Sequence, residues 1–179
     1  MTANRRKKLA PVSVLAFDLD KFKSINDRFG HKMGDVVLEM FSKTARKTMR
    51  ADDIIGRLGG EEFVAIISGK LADACIAAER VRVAFEAAAL APDSPQIPVT
   101  VSIGVASGLP TANIDKIIER ADAVLYKAKE NGRNRVEADE TLVVPEAHAD
   151  GARKPAKYAP AAAKAGPVPA AVTVPIMVR

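Results

Sequence analysis

Four carboxylates occupy two places in the chain: Asp18 and Asp20 close an apolar run, and Glu61 and Glu62 follow directly on Gly59 and Gly60. If the two segments are neighbours in the fold, the carboxylates converge, and such crowding is unfavourable unless cations neutralise it. Oxygen-only ligands suit magnesium or manganese, and magnesium takes few carboxylates and completes its shell with water and substrate phosphates. The matching chemistry is phosphoryl or nucleotidyl transfer, in which metal ions activate an attacking hydroxyl and neutralise a departing pyrophosphate. Asp-x-Asp alone also fits two solvated residues opening a turn, and Glu-Glu alone fits a solubilised hairpin tip.

The elements that must position these groups are readable from spacing. Gly59-Gly60 separates two apolar runs, Ile54-Ile55 and Phe63-Val64-Ala65-Ile66-Ile67, and glycine enters the positive φ that tight primed turns require twice. Glu61 and Glu62 therefore belong at a hairpin tip, where alternation sends one toward a site under the turn and the other away. With no side chains, Gly59 and Gly60 leave room for a triphosphate against the backbone. Residues 12–17 read as a buried central strand that delivers Asp18 and Asp20 at its C-terminal end. Apolar residues at helical spacing predict helices over 22–29, closed by Gly30, and over 34–50, 71–90 and 114–130; strands are expected over 99–106 and near 135–137. This order predicts an α/β (α+β) sandwich with a central mixed or antiparallel sheet of about five strands and helices packed around it.

Charge is unevenly placed. Residues 1–150 carry 22 Lys and Arg against 22 Asp and Glu, whereas residues 151–179 carry five basic residues and no acidic one. A neutral body excludes a broad nucleic-acid-binding face. Cys75 is the single cysteine, which rules out an intramolecular disulfide and a cysteine metal cluster, and it reads as a small core residue. No apolar run reaches the ~18 residues of a membrane span, so a cytoplasmic setting is expected. From about residue 142 the composition changes: 151–179 holds nine alanines and five prolines in 29 residues. It reads as a disordered basic tail, 142–179, following a catalytic domain over 1–141.

Asp18-Leu19-Asp20-Lys21-Phe22-Lys23-Ser24-Ile25-Asn26-Asp27, Gly30-His31-Lys32-Met33-Gly34-Asp35, Arg57-Leu58-Gly59-Gly60-Glu61-Glu62-Phe63, Val101-Ser102-Ile103-Gly104-Val105-Ala106, and Tyr126-Lys127-Ala128-Lys129 through Gly132-Arg133-Asn134 stand in that order. Together they resemble the ordered motifs of the GGDEF family of diguanylate cyclases over residues 12–136. The resemblance implies a domain similar to the palm of nucleotidyl cyclases, which condenses two GTP into cyclic di-GMP with release of two pyrophosphates. It also implies a homodimer, each subunit holding one GTP whose 3′-hydroxyl attacks the partner's α-phosphate.

Carried over by motif position, Asp18 and Glu61 bind the metal with the Leu19 carbonyl, and Glu62 is a further candidate ligand. Glu61 is also the candidate for drawing the proton from the 3′-hydroxyl. Asn26 and Asp35 read guanine, whose Watson–Crick edge offers donors that a carboxylate accepts; a helix cap and a first-turn residue are the bland roles open to them. Lys23, Lys129 and Arg133 are assigned to phosphates, although Lys129 and Arg133 also suit a helix C-terminus. Phe22, Gly59 and Gly60 line the substrate. Arg57 is a candidate for charge near the phosphates or for a cross-strand ion pair, and His31 reads as structural.

Arg50 and Asp53 stand where the family's product-inhibition motif falls, so cyclic di-GMP feedback is expected there, with Arg80 as a secondary contact. The family's leading Leu-Thr-Gly-Leu-x-Asn-Arg segment is reduced to Asn4-Arg5-Arg6, which reads as a shortened N-terminus without an input domain. Two other readings stay open: a non-catalytic module that binds cyclic di-GMP or GTP, and an adenylyl-type or polymerase-like palm.

Overall fold

The structure is a computed structural model that describes residues 10–144. The Asn4-Arg5-Arg6 remnant and the tail from residue 145 lie outside the described residues. In order the chain forms β1 (Val12–Leu19), α1 (Phe22–Phe29), α2 (His31–Thr48), β2 (Ile54–Gly59), β3 (Glu62–Ser68), α3 (Leu71–Ala89), β4 (Val101–Gly108), α4 (Ile114–Glu130) and β5 (Val136–Val143). The strands make one sheet in the order β2-β3-β1-β4-β5. All neighbours are antiparallel except β4 and β5, which pair in parallel across α4. This is the mixed five-stranded sandwich that the element order predicts.

The central strand shows why the sequence folds this way. Ser13 to Leu19 is buried throughout, so both faces of β1 need apolar cover, and alternation divides them. Leu15, Phe17 and Leu19 join the larger core under α2 and α3, whereas Val14 and Ala16 join a smaller one under α4. Phe41 of α2 is the hub of the larger core, with ring centroids 5.6 Å from Phe17, 4.6 Å from Phe63 and 5.1 Å from Phe85. Such pairs add roughly 0.5–1.5 kcal/mol each beyond their buried area. Phe63 follows directly on Glu61 and Glu62, so this cluster anchors the hairpin tip. On the opposite face the small residues Ala16, Gly104 and Ala106 let α4 sit against the sheet. A Cβ on Gly104 would stand 2.1 Å from the Ala121 carbonyl oxygen and 2.4 Å from the Leu125 nitrogen.

Several boundaries, and the exposure of Phe29, differ from the periodicity. Helix α2 begins at His31, not at 34, because Gly30 at φ +82° ends α1 and starts α2 with no linker; the polar residues His31 and Lys32 hide that start from an apolar pattern. Phe29 closes α1 exposed, while Phe22 and Ile25 are buried. Strand β5 extends to Val143, past the boundary drawn at 141. No helix among the described residues is long and apolar enough to cross a membrane.

Candidate functional site

The C-terminal end of the central strand β1, the β2–β3 turn and the N-terminal parts of α1 and α2 meet at one end of the sheet's strands. Of the two turn glycines, only Gly60 has positive φ, at +50°, so Gly59 closes β2 without entering the left-handed region. Arg57 donates from Nε to the Gly60 carbonyl at 2.8 Å, which braces the turn, and it forms no cross-strand ion pair among the described residues. The Leu19 amide donates to the Glu61 carbonyl at 3.3 Å, and Asp18 stands opposite Glu62 in the β1–β3 register. The backbone thus sets Glu61 beside the end of β1. Glu61 is half-buried and Glu62 exposed, the division that alternation at a hairpin tip implies.

An open cleft of about 500 Å³ lies beneath this turn, lined by Phe22, Lys23, Asn26, Asp35, Arg57, Gly60 and Glu61 among the anticipated residues. Asp27, His31 and Leu38 line it as well. Asn26 sits inside α1, and neither α1 nor α2 has a side-chain cap, so its amide is not spent on a helix end. Asp35 lies beyond the first turn of α2, which holds no acidic residue. Gly34 sets the spacing of the two: a Cβ there would fall 2.0 Å from Asn26 Oδ1 and 3.1 Å from Phe22 Cζ. The absent side chain at Gly34 is what admits Asn26 between α1 and α2.

Asp18 is nearly buried and forms an ion pair with Lys129, Nζ to Oδ2 2.6 Å. Burial pushes the Asp18 carboxyl above its ordinary value, and the Glu61 and Asp20 charges push the same way; the hydrogen bond and charge of Lys129 oppose them. Among the described residues no group of three or more His, Cys, Asp or Glu side chains is placed to hold a metal ion. Asp18 and Glu61 nevertheless form an interacting pair of oxygen donors, the sparse protein share that a hard divalent cation needs when water and phosphate supply the rest. The chemistry of these oxygen donors suits such a cation.

Asp20 has a different duty from Asp18. Its Oδ2 accepts from Thr100 Oγ1 at 2.7 Å and from the Asn134 amide at 3.1 Å, and its Oδ1 accepts from Ser102 Oγ at 2.7 Å. It is buried and satisfied by protein donors, so it ties β1 to β4 and to the turn after α4 and does not join a carboxylate cluster. The spacing of Asp-x-Asp carries no signal of this, because its partners come from distant segments. Lys129 reaches the site through Asp18, while Arg133 is exposed on the turn after α4, outside the cleft lining.

Arg50, Asp53 and Arg80 come together on the side of the fold where α2 ends and α3 runs past. They line one cavity of about 180 Å³ with Ser68, Asp73 and Ile76. Asp53 closes the turn by accepting the Arg50 amide at 2.9 Å. Arg46, which the motifs did not point to, holds the same turn: its guanidinium donates to the carbonyls of Asp53 at 2.7 Å, Ala51 at 3.1 Å and Arg50. Arg80 donates to the Thr48 carbonyl at 3.3 Å.

Comparison with known proteins agrees with this fold. Residues 1–135 match the family profile described as "Diguanylate cyclase, GGDEF domain". The chain is 43% identical over 132 residues to Diguanylate cyclase A of Treponema denticola, covering 73% of this chain and 36% of that protein. It is 38% identical over 132 residues to Diguanylate cyclase DgcS of Shewanella oneidensis, covering 74% and 44%. The chain therefore spans less than half the length of these curated relatives. Among solved structures, the active GGEEF domain of a Vibrio cholerae diguanylate cyclase superposes with a TM-score of 0.67 at 36% identity, covering 74% of this chain and 85% of that one. The GGDEF domain of DgcB from Caulobacter crescentus, solved with c-di-GMP, gives 0.67 at 32% identity, covering 74% and 80%.

Proposed function

The chain belongs to the GGDEF diguanylate cyclase family, and on that premise we propose that it condenses two GTP into cyclic di-GMP, releasing two pyrophosphates, at a site completed by a second copy. The single observation that carries the reading is the meeting of Asn26, Asp35, Lys23 and Glu61 on one cleft beside the Asp18–Lys129 pair. Asp35 accepts the guanine N–H donors, which adenine does not present on that edge, and the Asn26 amide adds a polar contact. Lys23, Lys129 and Arg133 take the phosphates, with Arg57 adding charge beside the turn and Phe22, Gly59 and Gly60 bounding the nucleotide. Magnesium or manganese, held by Asp18, Glu61 and the Leu19 carbonyl with Glu62 as a further ligand, would acidify the 3′-hydroxyl and offset charge on the departing pyrophosphate. Glu61 receives the 3′-hydroxyl proton, and the freed oxygen attacks the α-phosphate of the GTP on the facing subunit.

Cyclic di-GMP binds in the cavity of Arg50, Asp53 and Arg80 and restrains turnover, since guanidinium forks suit both phosphate and the guanine edge. The test is incubation of the chain with GTP and magnesium over a wide protein concentration range, with chromatography of the nucleotides. Cyclic di-GMP forming at a rate steeper than linear in protein supports the reading, and Glu61→Ala lowers that rate by about a hundredfold or more while GTP binding persists. Unconsumed GTP at every concentration overturns it in favour of a binding module, and equal consumption of ATP overturns the guanine assignment.

A further inference from the structure

The turn after α4 is held in an uncommon backbone conformation by a polar chain that crosses the domain. Gly132, Arg133 and Asn134 have consecutive positive φ values of +112°, +61° and +46°, a region that non-glycine residues enter rarely and keep only when their surroundings hold them there. The hold is visible on both sides of Asn134. Its amide N–H donates to Asp20 Oδ2 at 3.1 Å, its Oδ1 accepts from Arg82 Nη1 at 2.7 Å, and its Nδ2 donates to Glu86 Oε1 at 2.9 Å. Arg82 is itself fixed by Glu79 and Glu86 on α3, at 2.7 and 3.0 Å. Asp20 is locked from the other end by Thr100 and Ser102. At the head of the turn, the Arg133 amide donates to the Ala128 carbonyl at 3.0 Å, so the turn is continuous with the last helical turn that carries Lys129.

We propose that Asn134 and Arg82 are positioning residues for the triphosphate: they fix the 131–134 turn so that Arg133, together with Lys129, is presented to the phosphates of GTP. Neither residue lies on the cleft that would take the nucleotide; each acts through the turn. The inference rests on the proposed function for the phosphate role of Lys129 and Arg133, and the chain of contacts from α3 to Asp20 stands independently of it. Asn is suited to the position twice over, since it tolerates left-handed φ and offers a donor and an acceptor on one group.

The experiment uses the full chain and Asn134→Ala, Asn134→Gly, Arg82→Gln and Arg82→Lys, with GTP affinity by calorimetry in magnesium, KM and kcat for cyclic di-GMP formation, and thermal denaturation. Asn134→Gly keeps the backbone freedom and removes only the amide, and Arg82→Gln keeps the helix, so the set remains informative if Asn134→Ala does not fold. The expected result is a rise of about tenfold in both Kd and KM for GTP, kcat within about threefold of wild type, and partial recovery in Arg82→Lys. A lowered melting temperature with unchanged Kd and KM in the folded variants would reduce the network to a structural brace and overturn the inference alone. A wild-type chain that binds GTP but forms no product overturns the proposed function, and the Kd comparison then decides the inference by itself. A wild-type chain that binds no GTP overturns both.

Discussion

Lys129 Nζ stands 2.6 Å from Asp18 Oδ2, joining the last turn of α4 to the end of the central strand, and the two partners differ in their access to water: 32% of the lysine side chain is exposed against 11% of the aspartate. Removing the lysine strands a desolvated carboxylate, whereas neutralising the aspartate leaves an ammonium that still reaches solvent. Lys129→Met is therefore expected to lower unfolding free energy by about 1–3 kcal/mol and Asp18→Asn by less than half as much, measured by urea denaturation.

Two glycines separate stability from binding. The Cβ of Gly104→Ala meets backbone atoms of α4, at 2.1 and 2.4 Å, which can yield only by moving the helix; a loss of about 3 kcal/mol is expected. The Cβ of Gly34→Ala meets the end of the Asn26 side chain at 2.0 Å, which can swing aside. Thermal denaturation is expected to show a small change for Gly34→Ala, and GTP titration a weakening of about tenfold, the worth of roughly one directed hydrogen bond.

Feedback is expected to depend on the shape of the turn at the end of α2 as well as on its charge. Arg50→Ala removes a guanidinium from the cavity, and Arg46→Ala removes the group that holds the carbonyls of Arg50, Ala51 and Asp53. Both are expected to raise the cyclic di-GMP concentration that halves turnover, by about tenfold, read from inhibition curves. An unchanged curve in Arg46→Ala would separate the loop's shape from its affinity.

The acid limb of stability has an identifiable contributor on β5. The hydrogen bond from Arg120 holds the Asp139 carboxyl below its ordinary value of 3.8, against the penalty of its burial and with further help from Thr141. A carboxyl depressed in the folded state stabilises fully above its unfolded pKa and loses that contribution as pH falls through the folded one. Wild type is therefore expected to lose more stability than Asp139→Asn between about pH 5 and pH 2, and the two denaturation profiles should run parallel at neutral pH.

Local patterns carried most of the fold. The hairpin was legible because glycine between β-branched runs has few other uses, and the buried faces of α2 and α4 were legible because Val37, Leu38, Phe41, Ala45, and Ile117, Ala121, Val124, Leu125 recur at helical spacing. The gathering of Arg50, Asp53 and Arg80 followed from motif position, and the cavity they share was not visible in spacing. What stayed hidden were long-range duties. Asp20 looks like Asp18 in the chain, yet its partners Thr100, Ser102 and Asn134 lie 80, 82 and 114 residues away. Arg46 and Arg82 read as ordinary helix-surface cations, since nothing in a helical repeat tells which carbonyls or amides a guanidinium will meet.

The antiparallel pairing of β1 on both sides has a consequence for how the chain is made. Ser13 waits 56 residues for Gly69 and 94 for Ser107, so on the ribosome the most apolar strand emerges first and stays without neighbours while the segments that cover it are still being translated. The hairpin can close early, but it offers β1 only one edge; β4 and α4 arrive later and seal the other side. Nascent chains halted before β4 should accordingly recruit holdase chaperones and aggregate on release, while the finished protein should refold slowly for its size, its rate limited by closing these distant pairings.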